Sequence, residues 1–167
     1  MDREPKVRDL MRRDVPLLSP GDTISTVASA LAESGLPGLP VVEAGRLVGI
    51  ITESDIIARE ADVRVPSFIP FLDAIFVADG GRDFDDEIKH VLAVTANDLM
   101  TSPVFSIRES ATLAQVATLM LDQGVNPVPV VDDDLNITGI VSRGDLVRVI
   151  ARLEKGAQLP VDQQAAK

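Results

Sequence analysis

The stretches GIITESDII (residues 49–57) and GIVSRGDLV (residues 139–147) decide the fold of this chain of 167 residues. Each begins with a glycine, continues through apolar residues and reaches a hydroxyl side chain three positions before an aspartate. The two pairs are Thr52 with Asp55 and Ser142 with Asp145. Two interpretations of this repetition are open. Either the repetition reflects only the architecture of the fold, or both pairs bind the same chemical group in two places.

The rest of the chain repeats at the same distance. DLM at 9–11 returns at 98–100, and PVV at 40–42 returns at 129–131, 89 residues later in both cases. After PVV the offset grows by one residue, in EAGR of the first copy and DDDLN of the second, where a hairpin turn tolerates a change of length. A repeat of this kind indicates two copies of one structural unit.

Each copy predicts the order strand, helix, strand, strand, helix. The first strands are DVPLL (14–18) and PVFSI (103–107). Helical spacing of apolar residues follows Thr23 and Thr112, which are candidate N-caps, and the helices are expected to end at Gly35 and Gly124. Each PVV begins a strand that is followed by a turn and a second strand. The stretches at 49–57 and 139–147 then lead from this second strand into the last helix of each copy. The expected fold class is α/β in the α+β sense, as a pseudo-twofold pair.

The expected domains are residues 1–60 and 96–155, with an insertion at 61–95 and a frayed tail at 156–167. The insertion contains four of the five Phe residues, and exposed Phe side chains would leave an adhesive patch. We therefore expect it to pack on the two halves or on a second subunit. Its acidic stretch around His90 is interpreted as a solvated turn before a helix rather than a calcium loop.

Composition excludes several classes of function. There is no Cys, so no disulfide or thiolate metal site is possible, and a net charge of −10 argues against binding nucleic acid. The charged start MDREPKVRDLM and the lack of any apolar run of about twenty residues argue against export and a membrane span, so a cytoplasmic protein is expected. No Ser/His/Asp set, phosphate-binding glycine loop or zinc spacing appears, which predicts neither an enzyme nor a catalytic cofactor.

The unit order, the PVV strands and the ending G-I-x-[ST]-x-x-D resemble the CBS domain, and two in tandem resemble a Bateman module, over residues 7–60 and 96–152. The resemblance implies two clefts on a pseudo-twofold axis and, often, a flat homodimer. Modules of this kind commonly sense AMP, ADP or ATP, and some bind S-adenosylmethionine. They are usually regulatory, which implies an effector protein that the sequence does not identify.

The residues themselves suit a sugar phosphate. The carboxylate of Asp55 or Asp145 can accept hydrogen bonds from both hydroxyls of a ribose, and the hydroxyl of Thr52 or Ser142 can donate to a phosphate oxygen. The amino end of the following helix also favours an anion. The alternative, that these side chains merely cap the helix, stays open, and the two roles are compatible.

The resemblance further implies that each cleft joins the end of one copy to the start of the other. Thr52 and Asp55 would then face Thr101, Val125 and Asn126. The second cleft would set Ser142, Arg143 and Asp145 against Arg12, Leu36 and Pro37. In these clefts Leu36 and Val125 would flank a base, and Thr101 would reach a phosphate.

The two clefts differ in charge. Glu53 occupies in the first copy the position of Arg143 in the second, and Arg12 and Arg13 are further candidates for the second cleft. Because a carboxylate repels a phosphate and an arginine binds it, we predict tighter nucleotide binding at Asp145. An ordinary solvated arginine surface is the alternative. A rival function is a scaffold protein with empty clefts, in which the Phe-rich insertion builds a homodimer.

Overall fold

The computed structural model describes residues 4–60 and 93–156. The predictions about the packing of the Phe-rich insertion, its acidic stretch and the tail after Gly156 lie outside the described residues.

The first copy begins with a short 3₁₀ turn and continues through two helices around one hairpin. Its elements are the turn Val7–Asp9, α1 Ile24–Ser34, β1 Gly38–Glu43, β2 Arg46–Thr52 and α2 Glu53–Ala58. The strands β1 and β2 are antiparallel and joined through Ala44 and Gly45, which have φ angles of 50° and 81°. Two successive residues with positive φ form the tight turn whose twist matches that of the flanking strands.

The second copy has the same order with one more strand. Its elements are α3 Ala96–Leu99, β3 Ile107–Arg108, α4 Leu113–Asp122, β4 Val128–Val131, β5 Ile137–Val141 and α5 Arg143–Glu154. Strand β4 lies between β3, which is parallel to it, and β5, which is antiparallel. This mixture of small sheets and helices confirms the predicted fold class.

The predicted ends of the long helices are confirmed. The hydroxyl oxygen of Thr23 accepts a hydrogen bond from the backbone N–H of Thr26 at 3.3 Å, and that of Thr112 accepts one from Gln115 at 3.2 Å. Gly35 follows α1 with a φ of 63°, and Gly124 has a φ of 65° just after α4. These left-handed conformations suit glycine, which has no Cβ to clash.

The predicted first strands are shorter in the structure. In DVPLL only Leu18 pairs, in a single parallel bridge with Val41, and PVFSI contributes only its last residue to β3. The physical reason is the prolines: Pro16 and Pro103 have no N–H to donate to a ladder.

The two copies exchange the segments that lead into them. The backbone N–H of Val7 donates to the carbonyl of Ala111 at 2.8 Å, and the N–H of Ala96 donates to that of Asp22, also at 2.8 Å. These two hydrogen bonds are equivalent under the sequence repeat. Each DLM segment therefore lies against the other copy.

The hydrophobic cores follow the same exchange. The core around α1 and β1 includes Ala96 and Leu99 from the start of the second copy. The core around α4 and β4 includes Val7 and Leu10 from the start of the first. Each half of the molecule is thus completed by residues from the other sequence repeat.

The exchange explains why a glycine opens each repeated stretch. A Cβ atom at Gly139 would lie 2.7 Å from the carbonyl oxygen of Arg12 and 3.0 Å from Sδ of Met11. A Cβ atom at Gly49 would overlap the side chain of Met100. Since real Cβ contacts are longer, DLM and the glycine belong to one contact between the copies.

Candidate functional site

The two Thr/Ser and Asp pairs are helix caps. Oδ2 of Asp145 accepts hydrogen bonds from the backbone N–H of Ser142 at 2.9 Å and from its hydroxyl at 2.7 Å. Oδ2 of Asp55 accepts the same two bonds from Thr52, at 2.7 and 3.0 Å. Both are reciprocal capping boxes, at the start of α5 and α2. The capping interpretation is therefore confirmed, while ligand binding at these pairs stays a prediction.

The carboxylate of Asp145 also holds two arginines. Its Oδ1 accepts from Nε of Arg12 at 3.1 Å and from Nη1 of Arg148 at 2.5 Å. Asp145 is only 5% exposed. Burial raises the pKa of Asp145, but the hydrogen bonds from Ser142 and the interaction with Arg12 outweigh it, so the pKa lies below its ordinary value. This carboxylate is charged at neutral pH.

The sequence placed Arg12 at this cleft, and the structure brings it to Asp145. Arg12 comes from the first copy, and its backbone N–H and carbonyl each form a 2.9 Å hydrogen bond with Ile140 in β5. This antiparallel bridge fixes the backbone position from which the Arg12 side chain extends toward Asp145. Arg13, the neighbouring candidate, forms an ion pair of 3.1 Å with Glu109 instead.

Arg148 was missed from the sequence, although a signal was available. It lies three positions after Asp145 on α5, a spacing at which charged side chains of a helix meet.

Arg143 and Asn126 meet at the start of α5. Oδ1 of Asn126 accepts from the backbone N–H of Arg143 at 2.9 Å, and Nη2 of Arg143 donates to the carbonyl of Met120 at 3.4 Å. Met120 lies in the last turn of α4, where a cation is favourable. The guanidinium of Arg143 therefore has a partner within its own half, and Val125 packs partly buried against the same core.

Leu36 and Pro37 lie in the first half. Leu36 is 3% exposed and belongs to the core around α1, and the carbonyl of Pro37 accepts from the backbone N–H of Glu53 at 3.0 Å. Within residues 4–60 and 93–156, neither residue forms a hydrogen bond with the Ser142 and Asp145 pair. Their role beside a base stays a prediction.

Of the three residues expected to face Thr52 and Asp55, Thr101 lies beside β2, whereas Asn126 and Val125 contact their own half. Thr101 pairs with Ile50 of β2 through two backbone hydrogen bonds, of 3.2 and 2.9 Å. A Cβ atom at Gly38 would lie 2.7 Å from Cδ of Pro127 and 3.1 Å from Cγ2 of Thr52. The start of β4 thus lies beside the end of β2. The second copy therefore contacts β2 near its end, at Ile50, as Arg12 of the first copy pairs with Ile140 in β5.

This architecture defines a class: two interlocked copies of one unit, in which the segment leading into each copy packs on the core of the other. The sequence of the chain matches the family model of the CBS domain over residues 7–62 and 96–152. The chain therefore belongs to the CBS domain family and carries a pair of these domains.

Several curated proteins are similar along most of the chain. The uncharacterized protein MJ1426 of Methanocaldococcus jannaschii is 29% identical over 86% of this chain and 90% of its own length. The protein MJ1225 of the same organism is 28% identical over 90% of this chain, but the chain spans only 49% of it. The chloroplastic CBS domain-containing protein CBSX2 of Arabidopsis thaliana is 25% identical over 86% of this chain and 62% of its own length.

Two solved structures similar to this chain contain adenosine compounds. The crystal structure of CBSX2 in complex with AMP has a TM-score of 0.73 at 25% identity, and the comparison covers 90% of this chain and 99% of the chain in that crystal structure. The CBS domain pair of protein MJ0100, in complex with 5′-methylthioadenosine and S-adenosyl-L-methionine, has a TM-score of 0.65 at 25% identity. That comparison covers 87% of this chain and 98% of the crystallised domain-pair chain.

Residues 4–60 and 93–156 contain no group of three or more His, Cys, Asp or Glu side chains placed to hold a metal ion. The helices in these ranges include none that combines the length and the apolar character needed to cross a membrane.

Proposed function

We propose that this CBS pair is a regulatory sensor that binds an adenine nucleotide in the cleft between Arg12 and Asp145. The observation that carries the proposal is the meeting of these two side chains from opposite copies. AMP bound to CBSX2, and two adenosine compounds bound to the pair of MJ0100, support the ligand class. AMP, ADP and ATP are the ligands we favour, and S-adenosylmethionine is the second choice.

Binding would exchange one partner of Asp145. Its Oδ2 is needed for the cap of α5, so a ribose hydroxyl would compete for Oδ1, which Arg12 now occupies. The Arg12 side chain is 36% exposed, whereas that of Asp145 is 5% exposed, so the hydrogen bond that Arg12 gives to Oδ1 has to be replaced when Arg12 leaves. The donating ribose hydroxyl replaces it, and Arg148 keeps its own bond to Oδ1. The released guanidinium then pairs with the phosphate, which it can grip with two hydrogen bonds.

This exchange also suggests how a signal arises. Arg12 belongs to the first copy and Asp145 to the second, so a ligand that separates them alters a contact between the halves. A ligand shifts such an equilibrium only by its difference in affinity for the two arrangements. In this proposal the protein has no catalytic activity, acts in the cytoplasm and reports the ligand to an effector protein.

The test is to purify the protein gently and examine it by native mass spectrometry for a bound adenosine compound. Calorimetry with AMP, ADP, ATP and S-adenosylmethionine then compares Asp145→Asn with the matched variant Asp55→Asn. We expect Asp145→Asn to lose more affinity. A greater loss for Asp55→Asn would reverse the assignment, and no heat with any of the four compounds at millimolar concentration would refute the sensor.

A second candidate function, an interaction protein that forms a homodimer, is favoured by the apolar surface of α5. Val147 is 64% exposed, and Ile150 and Leu153 lie exposed on the following turns. Apolar side chains at this spacing share a face of the helix. Sedimentation velocity of the wild type and of Val147→Glu tests it: we expect a dimer that the variant weakens, and a monomeric wild type would refute it.

A further inference from the structure

The second half of the molecule contains a cavity that the proposed function does not use. Its volume is about 760 Å³, within the usual range for small-molecule sites. Arg108, Ser106, Ser110 and Gln115 form its polar lining. Leu119 and Val131 are among the apolar residues on its wall. The cavity therefore offers donors and an apolar surface together.

Arg108 has an unused hydrogen-bond donor. Among the described residues, Nη1 of Arg108 is the buried side-chain atom that has no hydrogen-bond partner. The carboxylate of Asp133 lies 3.8 Å away, beyond hydrogen-bonding distance, and that side chain is fully exposed. A buried donor without a partner costs about 1–3 kcal/mol. The Arg108 side chain as a whole is 43% exposed and lines the cavity, so its guanidinium is placed to attract an acceptor there.

The neighbouring carboxylates leave this donor unsatisfied because they have other partners. Asp132 accepts from the backbone N–H of Asp134 and of Asn136, and from the side-chain amide of Asn136, at 2.9 to 3.0 Å. Glu109 pairs with Arg13. These acidic groups also repel a ligand of high negative charge. A single negative charge suits the site better than a polyphosphate.

The cavity is remote from the candidate nucleotide cleft. Val131 is the last residue of β4, whereas Ser142 follows Val141, which pairs with Val128 at the first residue of β4. A strand rises about 3.3 Å per residue, so the two sites lie about 10 Å apart along β4. Residues of one site do not serve the other.

From these observations we infer that the cavity beside Arg108 is a separate binding site for a small monocarboxylate with an apolar body. The carboxylate accepts from Arg108 and from the hydroxyls of Ser106 and Ser110, and the apolar body lies against Leu119 and Val131.

The first copy provides no equivalent site. The positions of Ser106, Arg108, Ser110 and Gln115 correspond in the repeat to Leu17, Ser19, Gly21 and Thr26. The cation is missing there. The monocarboxylate site is therefore a property of the second half alone, and the protein is expected to bind one such ligand per chain at this place.

Hexanoate is a suitable probe. The control compounds are 1-hexanol, which has the same apolar chain without the charge, and inorganic phosphate, which has charge without an apolar body. Methyl NMR of the full chain follows Leu119 and Val131 during each titration. We expect saturable hexanoate binding in the millimolar range and little change in the methyl signals with 1-hexanol or phosphate. Saturating AMP should not compete with hexanoate. Arg108→Gln is expected to weaken hexanoate binding about tenfold, since one charged hydrogen bond is lost.

Two further variants keep the result interpretable. Arg152→Gln removes a positive charge at the end of α5 and is expected to leave hexanoate binding unchanged. Ser110→Leu narrows the cavity without touching the guanidinium, and is expected to abolish binding even if Arg108→Gln folds poorly. Equal losses in Arg108→Gln and Arg152→Gln, binding of phosphate as tight as hexanoate, or a titration without saturation would overturn the inference.

Discussion

The two clefts of this pair share their caps and differ in what the other copy contributes. At both, an aspartate closes a capping box with the hydroxyl residue three positions earlier. Asp145 additionally receives Arg12 from the first copy, whereas the equivalent position in the second copy is Thr101, which has no charge. The capping box is thus the architectural part of the motif, and the residue after DLM distinguishes the clefts.

This comparison changes the physical basis of the predicted asymmetry. From the sequence, Glu53 against Arg143 set the two clefts apart, with Arg12 and Arg13 as further candidates for the second cleft. In the structure Arg143 donates to the carbonyl of Met120, whereas Arg12 contacts Asp145 directly. The prediction that Asp145 binds more tightly stays, and it now rests on Arg12 rather than on Arg143.

The largest expected effect is the difference in stability between alanine variants of the two repeated glycines, Gly139 and Gly49. In Gly139→Ala the new methyl group meets the backbone oxygen of Arg12, which cannot move alone, so we expect a loss of about 3 kcal/mol in the free energy of unfolding. In Gly49→Ala it meets Sδ and Cγ of Met100, which can shift, and its Cβ at 2.9 Å, which moves only with the backbone, and the loss is about 1–2 kcal/mol. Urea unfolding measures both.

A second substitution checks the cause. Met100→Ala combined with Gly49→Ala removes Sδ and Cγ of Met100, the two atoms nearest the new methyl group, so the two effects should be less than additive. Equal losses for the two glycine variants, or strict additivity in the double variant, would contradict the contact between DLM and the glycine.

The next largest effect is the difference in stability between alanine variants of the two capping aspartates, Asp145 and Asp55. Asp145→Ala removes the cap of a helix of twelve residues together with the partner of Arg12 and Arg148. We expect it to cost about 2 kcal/mol in the free energy of unfolding. Asp55→Ala removes the cap of a helix of six residues and is expected to cost about 1 kcal/mol. Chemical denaturation of both variants decides the order, which a larger loss for Asp55→Ala would reverse.

A third prediction moves the arginine between the clefts. Arg12→Gln is expected to weaken AMP binding about tenfold, because a charged contact with the phosphate is lost. Thr101→Arg places a cation at the position in the second copy that Arg12 holds in the first, and should add a second binding event in calorimetry. If Arg12→Gln binds AMP as tightly as the wild type, Arg12 is not the phosphate partner.

The smallest effect is a difference in acid sensitivity. The pKa of Asp145 is lowered in the folded protein, so its contribution to stability is present above the unfolded pKa of about 3.9 and is lost as the pH falls through the lower folded value. Asp145→Asn should therefore flatten the fall in melting temperature below about pH 4. Asp55→Asn serves as the comparison, and equal acid profiles of the wild type and Asp145→Asn would rule out this contribution.

The sequence was sufficient where a signal is local. The caps at Thr23 and Thr112, the left-handed ends at Gly35 and Gly124 and the paired units follow from short-range patterns, and all are found in the structure. The meeting of Arg12 and Asp145 was expected only through the family resemblance, because 133 residues separate them.

The short helical segments that lead into each copy had no pattern that could be recognised in the sequence. Helix α3 has four residues and the turn Val7–Asp9 has three, which is too short for helical periodicity to show. Their exchange between the copies depends on apolar contacts of long range, which no local spacing encodes. The prolines that shorten the first strands were visible, but their effect depends on which N–H groups a neighbouring strand would need.

The exchange of leading segments also bears on how the molecule unfolds. Val7 and Leu10 complete the core of the second half, and Ala96 and Leu99 complete that of the first. Neither half can lose its packing without uncovering apolar surface in the other. We therefore expect the two halves to melt in one cooperative transition, with neither sequence repeat able to fold as an autonomous unit.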